Sequence, residues 1–113
     1  MQLQGKPGRP QIDSVSATKI TLHWTEPENI GRTRITNYAI CYGTKHMKLV
    51  DFKLHNVIRS QTSCTISEGI RAKEAYKFAV AAVSQEGRGP LSDFSEYVRT
   101  PTRDGKPNII GCG

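Results

Sequence analysis

The sequence has few of the residues that bind metals or cross-link chains, and no long apolar run. Its 113 residues include three cysteines and three histidines, and none of these lies at a spacing typical of zinc ligands. At least one cysteine must be unpaired, so we expect three free thiols, with a bridge from Cys112 to another domain or chain as the alternative. No window approaches the roughly 18 consecutive apolar residues of a membrane-spanning helix. The sequence therefore predicts no metal, no cofactor and no membrane span.

The signals of an enzyme are equally scarce. A chain of 113 residues buries one core, which excludes a two-domain enzyme with a cleft between its lobes. Gly87-Arg88-Gly89 lacks the Gly-Lys-Ser/Thr continuation of a phosphate-binding loop. No serine, histidine and acid can be grouped into a nucleophilic site. We therefore expect no catalytic residues.

Apolar and polar residues alternate in short runs between turn residues, a pattern that predicts antiparallel strands rather than helices. The strongest alternation runs from Tyr76 to Val83, and we interpret it as a central strand. A Gly- and Pro-rich stretch, 85–91, is predicted to be a hairpin loop. In chain order, we expect seven strands near residues 12–15, 19–25, 35–42, 49–54, 63–67, 76–83 and 92–100.

The same alternation divides each strand between two faces. Tyr38, Ile40 and Tyr42 share one face of the third strand, which predicts that Cys41 points outward. Residues 49–54 carry lysines among their apolar residues, as edge strands often do. The predicted core comprises Trp24, Tyr38, Ile40, Ile66, Tyr76, Phe78 and Val80.

Five short motifs follow one another in a fixed order along the chain: Leu22-His23-Trp24 with Pro27, the run 35–42, Gly69-Ile70 before Tyr76, the run 76–83, and Gly87 to Ser92. With these motifs, the chain from Pro10 to Thr100 resembles a fibronectin type III domain. The resemblance implies an all-β, two-sheet antiparallel sandwich of seven strands. It also implies that the Tyr76 hydroxyl bonds back to the preceding turn, although the Pro-Gly pair that usually precedes this tyrosine is missing.

The extent of this resemblance predicts the limits of the domain. We expect a linker at 1–9, the domain at 10–100, and a C-terminal linker or the start of a following domain at 101–113. The tripeptide Gly5-Lys6-Pro7 recurs at 105–107, which fits a fragment of a tandem array.

Leu91-Ser92-Asp93-Phe94-Ser95 resembles a degraded form of the serine and aromatic box of cytokine-receptor modules. In those modules a ladder of cations on the neighbouring strand lies between the aromatic rings. The outward positions here are Lys77, Ala79 and Ala81, so we expect no ladder and interpret Ser92 as the ordinary serine of the family.

Positive charge is concentrated in one part of the chain. The net charge is +6, and between Ile30 and Arg59 there are six basic residues and one acidic residue. These residues either keep an edge strand soluble or bind an anionic partner. The candidate partner-binding residues are Arg32, Arg34, Lys45, Lys48, Lys53 and Arg88. We expect the loops 27–33 and 85–91 to lie at the same end of the sandwich and to form one positive surface with the lysines.

The leading hypothesis is a noncatalytic module of a larger multidomain protein, serving as a spacer and a protein-interaction surface of adhesion, receptor or matrix type. Its partners would be neighbouring domains and a protein, acidic in character, or a sulfated glycan. Nucleic acid is disfavoured, because the basic residues lack stacking aromatics or a docking helix. One alternative is the same module in an intracellular signalling, cytoskeletal or toxin-like protein, and another is a glycan- or lipid-binding domain. The resemblance favours an extracellular or cell-surface location, but the compartment stays open.

Overall fold

A computed structural model describes residues 4–28, 31 and 33–103. In this part of the chain the structure is built from β-strands with one short 3-10 turn at Leu49–Asp51. The strands are β1 (Gln11–Val15), β2 (Ile20–His23), β3 (Asn37–Thr44), β4 (Lys53–Val57), β5 (Ser63–Ile66), β6 (Ala75–Ser84), β7 (Gly87–Leu91) and β8 (Val98–Arg99).

The strands form two antiparallel sheets that pack face to face. The smaller sheet has the order β1-β2-β5, and the larger has the order β4-β3-β6-β7 with β8 also paired to β6. In the larger sheet Ile40 lies between His55 of β4 and Val80 of β6, so β3 is paired on both sides. The two-sheet antiparallel sandwich expected from the sequence is confirmed.

The core lies between the sheets, because alternate residues of each strand point toward the opposite sheet. Ile20, Leu22 and Trp24 enter it from the smaller sheet and the end of β2. All seven predicted core residues are at most 2% exposed and belong to one apolar cluster. Trp24 and Tyr38 meet edge to face with ring centroids 5.3 Å apart.

The predicted edge strand at 49–54 is wrong in its position. Residues 49–51 form the 3-10 turn, and β4 begins only at Lys53, which pairs with Tyr42. Residues 45–52 reverse the direction of the chain after β3. The apolar residues Leu49 and Val50 therefore lie in this turn and not in a strand. They are 62% and 85% exposed.

The loop predicted at 85–91 is also mostly wrong. The turn contains only Gln85 and Glu86, and Gly87, with φ of 125°, lets the chain reverse into β7. Arg88 therefore lies on a strand, opposite Val83, and not at a loop tip. The single strand predicted at 92–100 is reduced to β8. Before β8 the chain is bonded to β6 at Ser92 and Ser95, each through one backbone and one side-chain hydrogen bond, and forms no continuous strand.

Cys41 lies on the face of β3 away from the core cluster, as the alternation predicts, but it is buried. Its neighbours across the sheet are Leu54 and Ala79. Burial raises the pKa of the Cys41 thiol, and the nearby Arg88 partly offsets that rise.

Candidate interaction surface

The structure separates the candidate partner-binding residues into two groups at opposite ends of β3. Arg34 precedes β3, and Arg88 lies on β7 beside the end of β6. Lys45 follows β3 directly, and its backbone N–H donates to the Ala75 carbonyl at 3.0 Å. Lys48 directly precedes the 3-10 turn and Lys53 starts β4 at that same end. Arg32 lies outside the described residues.

The two loops expected at one end of the sandwich do meet there. The Thr33 hydroxyl donates to Glu86 Oε2 at 3.4 Å, and the Thr36 N–H donates to the Val83 carbonyl at 2.8 Å. The end that holds Arg34 and Arg88 is therefore the end of the β6–β7 turn. β3 contains eight residues, so at about 3.3 Å per residue the lysine group starts roughly 25 Å away.

The lysine group adjoins a corner built around Tyr76. The Tyr76 hydroxyl donates to the Gly69 carbonyl at 3.2 Å and accepts from the Arg71 N–H at 2.7 Å. Tyr42 makes a second tie to the same turn, because its hydroxyl donates to the Glu68 carbonyl at 2.7 Å. These bonds fix the 67–74 turn against the end of the larger sheet. The hydroxyl contact that the sequence resemblance implied is present.

A cavity of about 290 Å³ opens at this corner. Its walls come from the end of β3, the turn that contains Met47, the start of β4 and the 67–74 turn. Two cations, Lys53 and Arg71, and one carboxylate, Glu74, line it. Sequence reasoning singled out Lys53 but missed Arg71, whose only sequence signal is its position just after Gly69-Ile70.

A cluster of one cation and three aromatic rings lies on the outer face of the larger sheet. The Lys77 ammonium is 4.5 Å from the centre of the Phe94 ring, 5.4 Å from that of Tyr97 and 6.0 Å from that of Phe52. This is a single cation held among three aromatic rings. We expected no ladder of cations at the outward positions of β6. Ala79 and Ala81 carry no charge, but the Lys77 ammonium does lie over the aromatic rings.

The serines of the 91–95 stretch hold the chain against β6. Ser92 Oγ accepts from the Val80 N–H at 2.9 Å, and Ser95 Oγ accepts from the Phe78 N–H at 3.0 Å. Each hydroxyl also donates to the carbonyl of the next residue. The Ser92 and Ser95 N–H groups also donate to the Val80 and Phe78 carbonyls at 2.7 and 2.8 Å. Each serine is thus bonded to β6 through both its side chain and its backbone, which keeps Phe94 beside Lys77.

The histidines and the two cysteines that the structure describes belong to no group of metal ligands. His23 Nδ1 lies 2.8 Å from Asp13 Oδ1 at an exposed position. Burial raises the pKa of the Cys64 thiol to about 12, which keeps it protonated and unreactive. Within residues 4–28, 31 and 33–103, no three histidine, cysteine or acidic side chains are grouped as metal ligands would be. The same residues include no helix of the length and apolarity needed to cross a membrane.

Comparison with known proteins identifies the family. The fibronectin type III domain model matches residues 5–98. Protein sidekick-1 of Homo sapiens is 36% identical over 98 residues, which are 84% of this chain and 4% of that protein. Neural cell adhesion molecule 1 of Gallus gallus is 31% identical over 105 residues, 87% of this chain and 9% of that protein. The chain thus spans less than a tenth of either relative.

Solved structures agree with the sequence comparisons. The structure of domains A168–A170 from titin superposes with a TM-score of 0.78 and 25% identity, over 87% of this chain and 32% of that one. Sidekick-1, neural cell adhesion molecule 1 and titin all contain this module within much longer chains. The chain belongs to the fibronectin type III domain family.

Proposed function

We propose that this domain is a noncatalytic spacer and protein-interaction module of a multidomain adhesion protein at the cell surface. The support for adhesion is the relative that is named a cell adhesion molecule. The support for a multidomain parent is the small share of each relative that the domain matches. The described residues fit a binding role, because many cations and some large apolar side chains, such as Val50, are exposed. The Cys41 thiol is buried and the Cys64 thiol is partly buried.

The spacer role rests chiefly on where the chain enters and leaves the domain. On the entering side, the Gly31 N–H donates to Gln4 Oε1 at 2.9 Å and Gln4 Nε2 donates to the Thr33 carbonyl. On the leaving side, the Thr100 N–H donates to the Glu74 carbonyl at 2.9 Å. These points lie at the two ends of β6, whose ten residues extend roughly 30 Å. Each such domain therefore adds its length to the parent protein.

Both junctions are anchored, which suits a spacer that keeps its neighbours in a fixed orientation. Gln4 is 1% exposed, and Lys6 pairs with Asp93 at 3.2 Å. At the other end Thr100 is fully buried, and the Lys73 N–H donates to its carbonyl at 3.1 Å. We propose 1–9 as the incoming linker, of which 4–9 lies against the domain, 10–100 as the domain body, and 101–113 as the connection to the next domain.

The proposed partner is anionic, either an acidic protein face or a sulfated glycan. Arg34 and Arg88, with Arg32 nearby in sequence, would contact it at the end where the chain enters, because a guanidinium binds carboxylate or sulfate with two hydrogen bonds. The group of Lys45, Lys48 and Lys53 provides a second contact at the other end.

The test compares three forms of the parent protein on the surface of cells that do not aggregate by themselves. The first is intact, the second lacks residues 10–100, and the third carries an unrelated sandwich domain of equal length in their place. We expect aggregation to fall in the second form and to return only in part in the third, since the substitute restores length but not the binding surface. Full recovery in the third form would reduce the role to spacing. No effect of deletion, or a parent that stays in the cytosol, would refute the adhesion role.

A further inference from the structure

We propose that the cavity at the Tyr76 corner binds a sulfate group of a sulfated glycan chain, with Lys53 and Arg71 as its cationic contacts. The cavity volume of about 290 Å³ exceeds what one sulfate needs and leaves room for part of the sugar that carries it. This inference deepens the proposed function and rests on it only for the statement that the domain meets an anionic partner.

Lys53 and Arg71 are available because neither forms an ion pair within the described residues, although Glu74 lines the same cavity. The ion pairs within the described residues are Lys6 with Asp93 and His23 with Asp13. Neither Lys53 nor Arg71 takes part in them, although both line one cavity. Two free cations that converge on a cavity attract an anion more strongly than cations spread over a flat surface.

The backbone at the corner places these cations. Gly69 has φ of 75°, and a Cβ built on it would lie 2.5 Å from the Lys53 ammonium. The Lys53 ammonium therefore lies close over the Gly69 backbone. The Arg71 backbone is fixed by its bond to the Tyr76 hydroxyl. The turn between Thr44 and Met47 is closed by the Met47 N–H donating to the Thr44 carbonyl at 3.1 Å.

Further cations flank the cavity and extend the site beyond a single anion. Lys45 and Lys48 lie beside lining residues of the β3–β4 connection, and Lys73 lies in the same turn as Arg71. All three side chains are exposed. A ligand that repeats its negative charge along a chain can occupy the cavity and reach these lysines at the same time, which multiplies weak contacts.

One feature of the cavity favours a glycan over an acidic peptide. The Glu74 carboxylate lines the cavity beside the two cations. In a sulfated glycan, hydroxyls lie between the charged groups, so a hydroxyl can donate a hydrogen bond to Glu74 while sulfates contact Lys53 and Arg71. In a contiguous acidic peptide every side chain is anionic, and the side chains nearest Glu74 are repelled.

The test is a titration of the full 113-residue chain with a heparin tetrasaccharide, followed by amide chemical shifts at about 0.15 M salt to limit nonspecific attraction. We expect the largest shifts at Thr44, Met47, Gly69 and Arg71. The double variant Lys53→Ser with Arg71→Ser should bind about tenfold more weakly, from the loss of two charge-assisted contacts. The matched control, Arg9→Ser with Arg59→Ser, removes two exposed cations that do not line the cavity and should change the affinity by less than about twofold.

Three results would overturn the proposal. Equal weakening in both double variants would mean general charge attraction, and the absence of shifts at the corner would mean no site. A hexaglutamate peptide that binds the same amides as tightly as the tetrasaccharide would assign the site to an acidic protein. In support, Glu74→Gln should improve hexaglutamate binding but not tetrasaccharide binding. Tetrasaccharide binding at the corner, together with no effect of domain deletion on cell aggregation, would refute the adhesion role alone. Loss of aggregation on deletion, together with no tetrasaccharide binding at the corner, would refute this site alone.

Discussion

Three buried tyrosines differ in how their hydroxyls are bonded, and this difference predicts the order of three stability measurements. Tyr38, Tyr42 and Tyr76 are each at most 2% exposed. The Tyr76 hydroxyl makes two hydrogen bonds, the Tyr42 hydroxyl makes one, and the Tyr38 hydroxyl has no partner within the described residues. Replacing each by phenylalanine removes the hydroxyl and keeps the ring, so the bonds can be compared without a large change in packing.

The expected magnitudes follow from the bonds lost. A net hydrogen bond contributes about 1 kcal/mol to the free energy of unfolding, so Tyr42→Phe should cost about 1 kcal/mol and Tyr76→Phe about 1–2 kcal/mol. Tyr38→Phe loses no bond and removes a desolvated hydroxyl. It should leave stability unchanged or raise it by up to about 1 kcal/mol. The edge-to-face contact between the Tyr38 ring and Trp24 is retained in the variant.

Equilibrium unfolding in urea gives the three free energies, and an unchanged slope with denaturant shows that the unfolded states are comparable. The reasoning is refuted if Tyr38→Phe destabilises the domain as much as Tyr76→Phe, because hydrogen bonding would then not distinguish the sites. An unchanged midpoint for Tyr76→Phe would separately remove the argument that its hydroxyl fixes the corner.

Three further predictions test the core, the sheet and a thiol. Trp24→Ala should cost about 3–5 kcal/mol, and melting within a few degrees of the parent would contradict its place in the core. Gly43→Ala should lower the free energy of unfolding by about 1–3 kcal/mol, since its Cβ would overlap the Phe52 ring, and Phe52→Ala in the same chain should recover part of the loss. The Cys64 pKa is raised from 9.0 to about 12, so stability should fall as pH rises above about 9, where the unfolded thiol ionises first, and Cys64→Ala should fall less steeply.

The sequence predicts the centre of the fold better than its edges, for a physical reason. β6 is predicted at 76–83 and observed at Ala75–Ser84, because a strand buried between two neighbours has a long, strict alternation. The edge strand β4 has pairing on one side only, so its start is set by the turn after β3 and by the register of Tyr42 with Lys53. Neither is visible in the apolar pattern of 49–54.

The candidate sites are harder to predict because they join residues distant in the chain. The rings around Lys77 come from Phe52, Phe94 and Tyr97, and no local spacing brings them together. Local charge likewise grouped Arg34 and Lys45, which the structure places at opposite ends of β3. Alternation assigned Cys41 to the correct face, but its burial depends on neighbours such as Leu54 on another strand.

Stability and binding are coupled at the corner, since the same hydroxyl serves both. The Tyr76 hydroxyl holds the Arg71 backbone, and a contact that is fixed before binding loses less entropy when the ligand arrives. Tyr76→Phe should therefore weaken tetrasaccharide binding by about two- to threefold while the variant remains folded. Tyr38→Phe, whose hydroxyl touches no part of the cavity, should leave the affinity unchanged. Equal affinities for the two variants would show that Arg71 is positioned by the rest of the 67–74 turn and not by the tyrosine.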